Sequence, residues 1–441
     1  MTLELFPYQE IGAAHLAGHD RAGLFDVPGV GKTAQAIRAM DLTGAKRVLV
    51  ICPAGVRQVW VGEIAKFSRQ PLRVKVGKDI QDLNSWLRGR VHVLVLSYEM
   101  AAKWARRMEG DIIDVIVVDE AHYLKNGETI RARALLGHNC DGLQGLCQWG
   151  AYVWFLTGTP NPNDAADVWS IMRFCRATNL KRETFLTRYY RSQQRTYSTV
   201  NTPRPEARAE LKAALDSFMI RRTKEEVGLE LPPIFLTTVT VDGDTAEIRR
   251  LLAEHPGLER AIIDAVEKGG LSFLEAQHIA TLRRLVAEAK APAYVELIDE
   301  ELSCGLDKIV IFGLHVKALG LIRDGLAKHG HDVVHLDGSI GDAGKIARFQ
   351  TDPKCQAILS NIRRGGTGIT LTAGAAIDMF ERDWAPAANA QALMRIHRYG
   401  QTRSCRARFI TLANSIDERV AAVEARKTAA IAMIDGPAEY A

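Results

Sequence analysis

A chain of 441 residues, 47% apolar and 25% charged, can bury the cores of two or three domains and is not disordered in composition. No apolar run approaches the roughly 18 residues needed to cross a bilayer, and the opening MTLELFPYQE lacks the basic and apolar regions of a secretory leader. The net charge of +5 is uneven: residues 1–222 hold 31 Lys/Arg against 22 Asp/Glu, the remainder 26 against 30, which points the first half toward a polyanionic partner.

In chain order, a short apolar strand in AGLF precedes DVPGVGKT (26–33) and a good helix-forming segment. The runs VLVIC (48–52), VHVLVLS (91–97), VIVVD (115–119) and VWFLT (153–157) are apolar on both faces and read as buried parallel strands. Between about 165 and 290 the texture turns helical and charged. Strands return as KIVIF (308–312), DVVHL (332–336), QAILS (356–360), AIDMF (376–380) and ARFITL (407–412). The alternation predicts an α/β protein with two parallel sheets and crossover helices. The expected divisions are 1–225, with a helical protrusion near 165–222; a linker and second protrusion over 226–290; and 291–441. Seven scattered cysteines form no Cys-x-x-Cys pair, so neither a disulfide framework nor zinc is expected. SIDERVAAVEARKTAA near the end reads as a helix capped by Ser415 and Glu418.

Three motifs carry chemistry. Phosphate binding needs clustered backbone N–H groups at a helix start plus a cation. Pro28, Gly29, Val30, Gly31, Lys32 and Thr33 supply these, with Lys32 reaching terminal phosphates and the Thr33 hydroxyl serving magnesium. The strict pattern begins with glycine, where this chain has Asp26, and Pro28 removes one donor. Taken alone, the stretch reads equally as a structural glycine turn. In DVIVVDEAH, Asp119 and Glu120 end a buried strand, where parallel sheets present ligand sites. Asp119 suits a hydrated magnesium, and Glu120 suits orientation of an attacking water. In APAANAQALMRIHRYGQ (385–401), read as one helix, Gln391, Arg395 and Arg398 share a face. Two arginines there could clamp a γ-phosphate.

Together these residues resemble the Swi/Snf-type branch of the superfamily-two helicase-like DNA translocases, in order over nearly the whole chain. Leu5-Phe6-Pro7-Tyr8-Gln9 is similar to the opening segment, whose glutamine reads adenine. DVPGVGKT resembles motif I, where the family carries Asp rather than the first glycine. VICPAGVRQVWVGEIAKF (50–67), SYE (97–99), DEAHYLKN (119–126) and LTGTP (156–160) resemble motifs Ia, Ib, II and III. IRRTKEEV and LPP (220–233) resemble the brace leaving the first lobe. VIFGLH (310–315), HLDGSI (335–340), ILSNIRRGGTGITLT (358–372) and QALMRIHRYGQ resemble motifs IV, IVa, V and VI. Arg363-Arg364, Ala385 and NPNDAADVW depart from the family pattern.

The resemblance implies two RecA-like lobes, ATP and Mg2+ as cofactors, and hydrolysis stimulated by double-stranded or branched DNA, with translocation along one strand. It implies nucleic-acid contacts at Pro53, Trp60, Tyr98, Ser339, Gly366 and Thr367. No histone-binding, nuclease or zinc module is legible, so the expectation is a cytoplasmic motor of a bacterial or phage-infected cell, serving fork remodelling, branch migration, annealing or repair. A strand-separating DNA or RNA helicase and an inactive nucleic-acid scaffold are the alternatives. Outside the motifs, residues 173–224 hold 13 Lys/Arg against 4 Asp/Glu. KRETFLTRYYRSQQRTY interleaves arginines with aromatics, which suits phosphate contact plus base stacking by Arg188, Arg191 and Arg195 and their neighbours. Inward-packed tyrosines with solvated charges would give the same pattern.

Overall fold

A computed structural model describes residues 3–142, 144–158, 165–195, 198–268, 273–337, 342–362, 369–384 and 386–420. The chain divides into two compact units, Met1–Gln193 with Asn201–Glu230, and Gln194–Val200 with Leu231–Ala441.

The first unit is built on β1 (Arg21–Leu24), β2 (Val48–Cys52), β3 (Val74–Val76), β4 (Val93–Ser97), β5 (Ile113–Asp119), β6 (Gly150–Leu156) and β9 (Met219–Ile220). They form one sheet in the order β3-β4-β2-β5-β6-β1-β9, parallel at every pairing. The double-sided apolar runs exist because helices cover both faces. On β5, Val115 and Val117 join the core under the helices Pro7–Ala17, Lys32–Thr43 and Arg57–Phe67, whereas Ile116 and Val118 join the opposite core with Trp86 and Trp104. This alternation is the period-two geometry of a strand. Each large side chain so buried contributes ~1.5–3 kcal/mol, which holds the carboxyl edge of the sheet rigid.

The second unit carries β10 (Ile234–Val241), β11 (Ile309–Gly313), β12 (Asp332–Leu336), β13 (Cys355–Asn361), β14 (Ala376–Met379) and β15 (Cys405–Leu412), in the order β10-β15-β14-β11-β13-β12 and again all parallel. The α/β class with two parallel sheets is therefore the observed one.

Two differences have physical causes. Residues 226–290 hold more than a linker and helices: β10 lies within them and pairs along its whole length with β15. Its threonine-rich IFLTTVTV is an edge strand with few buried positions, so it lacks the unbroken apolar signature of its neighbours. Within 165–222, β7 (Tyr190–Arg195) and β8 (Ser198–Pro203) form a two-stranded sheet where helix was expected. Helices at Arg182–Tyr189 and Arg208–Asp216 flank it. Among the described residues no helix is long and apolar enough to cross a membrane.

Candidate nucleotide site

Three adjacent strands of the first sheet end level. Leu24 of β1 pairs with Leu156 of β6, and Leu156 pairs with Asp119 of β5. The glycine loop, the LTG turn and the Asp-Glu pair therefore leave the same edge. Gly29 and Gly31 have φ of +92° and +82°, left-handed values that favour glycine. Gly31 sits immediately before the helix Lys32–Thr43, so the loop delivers its N–H groups to a helix start. Pro28 packs on Gly158, where an added Cβ would fall 2.6 Å from Pro28 Cγ.

The loop is fastened from beneath. Asp26 is fully buried, and its carboxylate accepts from Arg222 Nη2 (2.6 Å), Arg222 Nε (3.0 Å) and the Arg222 backbone N–H (3.0 Å). Arg222 also donates to Gln35 Oε1 (2.9 Å) and to the Tyr8 carbonyl (2.7 Å). A glycine at position 26 could supply none of this, so the departure from the strict loop pattern is a structural anchor. Arg222 lies 196 residues from Asp26, and spacing gives no sign of the pairing. The brace segment quoted above is its only sequence signal.

Gln9 Nε2 and Tyr8 Oη both donate to the Val30 carbonyl, at 3.1 and 3.2 Å, and Gln9 Oε1 accepts from the Phe6 N–H. Lys32 Nζ donates to the carbonyls of Asp26 (2.6 Å) and Val27 (3.2 Å), so its ammonium is folded onto its own loop. Thr33 occupies the first turn of the same helix.

At the end of β5, Asp119 Oδ2 accepts from Trp60 Nε1 at 2.8 Å, and Oδ1 accepts from the Glu120 N–H at 2.9 Å. Burial, and then the adjacent Glu120 charge, push the Asp119 carboxyl up to about 6, against the opposing pull of the Trp60 bond and Lys32. Glu120 adopts a left-handed backbone, φ +53°, uncommon for a residue with a side chain. Its Oε2 lies 3.3 Å from His122 Nδ1, which also lies 3.2 Å from Thr157 Oγ1 in the LTG turn. His122 and Thr157 thus join the Asp-Glu pair to the next strand. A half-buried pair of carboxylates with Asp119 held above its usual range is the environment a divalent cation relieves. Thr33 and Asp119 fit magnesium in donor type.

The remaining expected residues fall into three groups. Pro53 is buried, and the Trp60 and Tyr98 side chains are buried as well. Trp60 holds Asp119, and Tyr98 Oη donates to the carbonyls of Asp119 (2.7 Å) and Glu120 (3.2 Å). These two side chains brace the strand end and are not displayed for nucleic acid. Their large apolar bodies were needed by the core, and their single polar atoms found the nearest buried acceptors.

Arg188 pairs with Glu210 at 2.7 Å and Arg191 with Glu206 at 3.4 Å. The interleaved aromatics Phe185, Tyr189 and Tyr190 are buried in the first core, so stacking on exposed bases is not their role. Arg195 lies in β7, outside the described side chains. Ser339, Gly366 and Thr367 lie outside the described residues altogether.

In the second unit, the helix carrying Gln391 spans only Pro386–Leu393. Arg395 and Arg398 follow it in turns, so the single helical face joining all three does not exist. The two guanidinium groups still converge: both donate to the Ile369 carbonyl, at 3.5 and 3.4 Å. The Leu371 N–H donates to the Arg395 carbonyl, and Gln401 Nε2 donates to the Gly374 carbonyl at 2.9 Å. Segments 369–374 and 395–401 are thereby laced together. Tertiary bonding, not helical periodicity, brings the arginines to one place.

The chain is 29% identical over 430 residues to a Xenopus laevis SWI/SNF-related matrix-associated actin-dependent regulator of chromatin subfamily A-like protein 1, covering 94% of this chain and 42% of that protein. It is 25% identical to the Homo sapiens DNA annealing helicase and endonuclease ZRANB3, covering 95% and 39%. An uncharacterized ATP-dependent helicase of Mycoplasma pneumoniae is 26% identical, covering 95% and 41%. The chain thus spans about two fifths of the length of these relatives. Among solved structures, the Sulfolobus solfataricus SWI2/SNF2 ATPase core in complex with dsDNA aligns over 99% of this chain and 94% of its own, at 24% identity and a TM-score of 0.47. The model of the SNF2-related domain matches residues 8–265, more than half of the chain, and the protein belongs to that family.

Proposed function

We propose that the protein is a DNA-stimulated ATP hydrolase that converts turnover into movement along duplex or forked DNA. The observation that carries this reading is the level ending of β1, β6 and β5, which gathers the glycine loop, Lys32, Asp119 and Glu120 at one sheet edge. The N–H groups of Gly29 to Thr33 bind the β- and γ-phosphates. Lys32 exchanges the Asp26 and Val27 carbonyls for phosphate oxygens, and Gln9 turns its amide to the adenine edge. Glu120 orients the attacking water, with His122 and Thr157 fixing its position relative to the phosphates. Thr33 and Asp119 would hold magnesium, which would supply neutralisation of phosphate charge. Arg395 and Arg398 keep the role that family resemblance assigns them, stabilising charge on the transferring phosphoryl group.

The annealing-helicase name of the human relative supports a role in annealing or fork remodelling, and the Mycoplasma pneumoniae relative supports a bacterial or phage-infected cell. The nucleic-acid contacts are assigned to Ser339, Gly366, Thr367 and Arg195. Readout through phosphates makes binding indifferent to sequence. ATP turnover measured with no nucleic acid, single strands, duplex, forks and RNA tests the reading. Strong stimulation by duplex or forked DNA is expected. Stimulation by RNA alone would overturn the substrate, and equal turnover in all arms would overturn the coupling.

A further inference from the structure

A cluster of metal-ligating side chains in the second unit belongs to none of the motifs. Glu296 and Asp299 stand three residues apart near the end of the helix Phe273–Ser303 and so share a face. The helix Val316–Lys328 leads through His329, Gly330 and His331 into β12. Gly330 has φ +90°, a left-handed conformation that turns the chain so that both flanking imidazoles meet Asp299.

Asp299 Oδ2 lies 3.0 Å from His329 Nδ1, and its Oδ1 lies 2.7 Å from His331 Nε2. Glu296 Oε1 lies 3.5 Å from His329 Nε2. The His331 ring is only 9% exposed, and its Nδ1 lies 3.1 Å from Gln356 Oε1 in β13. One ligand atom each from Glu296, Asp299 and His329 falls within 4.8 Å of the others.

Exposed ion pairs contribute only ~0–1 kcal/mol, so attraction between these side chains is weak compensation for ordering them. A cation would use the same convergence at full value. Imidazole nitrogen with carboxylate oxygen is a zinc donor set, and ligating carboxylates are themselves held by hydrogen bonds, as Asp299 is by His331. We propose that Glu296, Asp299 and His329 bind a zinc-class divalent cation, with His331 as the positioning residue that orients Asp299. The cation staples the end of the long helix to the start of β12. The sequence expectation against zinc rested on cysteine spacing, and this site uses no thiolate. Binding takes the lone pair of neutral His329 and releases its proton when that ring is charged.

The test uses the full chain with Cys304→Ser, because Cys304 is an exposed thiol just past the same helix. Equilibrium dialysis with Zn2+, the absorption of bound Co2+, and thermal unfolding are the readouts, with Mg2+ as a control that imidazole disfavours. One equivalent of zinc is expected, with an unfolding midpoint raised by on the order of 5 °C at a hundredfold excess over Kd. His329→Ala and Asp299→Asn, checked for intact folding by circular dichroism, should each abolish both signals. His331→Asn should weaken binding about 10-fold or more. No binding at submillimolar zinc, or binding undiminished in His329→Ala and Asp299→Asn, would overturn the proposal. Neither outcome bears on ATP turnover, so the proposed function stands or falls separately.

Discussion

In the first unit two carboxylates, the buried Asp26 and the half-buried Asp119, stand at the carboxyl edge of the sheet by the glycine loop. Asp26 is matched by Arg222, but Asp119 is matched by an indole N–H and a backbone N–H, with a second carboxylate beside it. In the second unit several buried charges are placed as stitching. Lys308 Nζ donates to the carbonyls of Phe349, Asp352 and Cys355, at 2.6–2.9 Å, and Lys290 bonds Asp417 and the Ile410 carbonyl. Arg408 spans Asp378 and Glu301, while Tyr294 donates to Asp378 at 2.8 Å. The contrast separates two uses of one feature. A buried charge surrounded by complementary partners is scaffold, and a half-buried carboxylate held up to about 6 beside a second carboxylate is poised for a ligand that brings positive charge.

The largest expected effects would break that assignment if they failed to appear. Glu120→Gln should lower ATP turnover roughly 10³-fold while fluorescent-nucleotide binding persists, and Arg398→Ala should lower turnover by about 10³-fold or more with the melting temperature unchanged. Normal turnover in both variants would mean that the site lies elsewhere. Next, Arg222→Ala should destabilise the first unit by ~3–5 kcal/mol in urea titration, because it strands Asp26 in the core. A loss below ~1 kcal/mol would show that Asp26 finds another partner.

A smaller effect follows from Asp119. Its folded value lies above its unfolded one, so its contribution is fully present below pH ~4 and is lost as pH rises through about 6. Nucleotide-free wild type should therefore lose up to ~3 kcal/mol across that window relative to Asp119→Asn, read as the difference between their melting temperatures against pH. Parallel profiles would remove the argument that Asp119 is under-neutralised. The smallest effect concerns the surface pairs. Because Glu210 and Glu206 already engage them, reversing Arg188 and Arg191 should change the slope of log Kd for DNA against log salt by less than ~1. A change near two would restore them as phosphate contacts.

The parallel sheets were readable because strands buried on both faces must be apolar throughout: VLVIC matches β2 residue for residue, and all of it is buried. Edge strand β10 escaped because half-exposed strands relax that demand. The glycine loop and the Asp-Glu pair were legible because phosphate and metal chemistry restricts both residue type and local spacing. Trp60 and Tyr98 were legible as motif members but not in role. A motif records identity, and only packing decides whether an aromatic faces solvent or braces a carboxylate. For Arg395 and Arg398, helical periodicity pointed to a face that ends at Leu393, and the Ile369 carbonyl joins them instead.

The sequence by itself determined the two parallel α/β units, the family, and the local phosphate-binding and carboxylate motifs, since each is set by short-range pattern. Tertiary structure alone decided why Asp26 replaces a glycine, how Glu120 is linked through His122 to Thr157, and that two histidines share Asp299. Those contacts join residues 30 to 196 positions apart for Asp26 and Asp299, and the chain must fold before any of them exists.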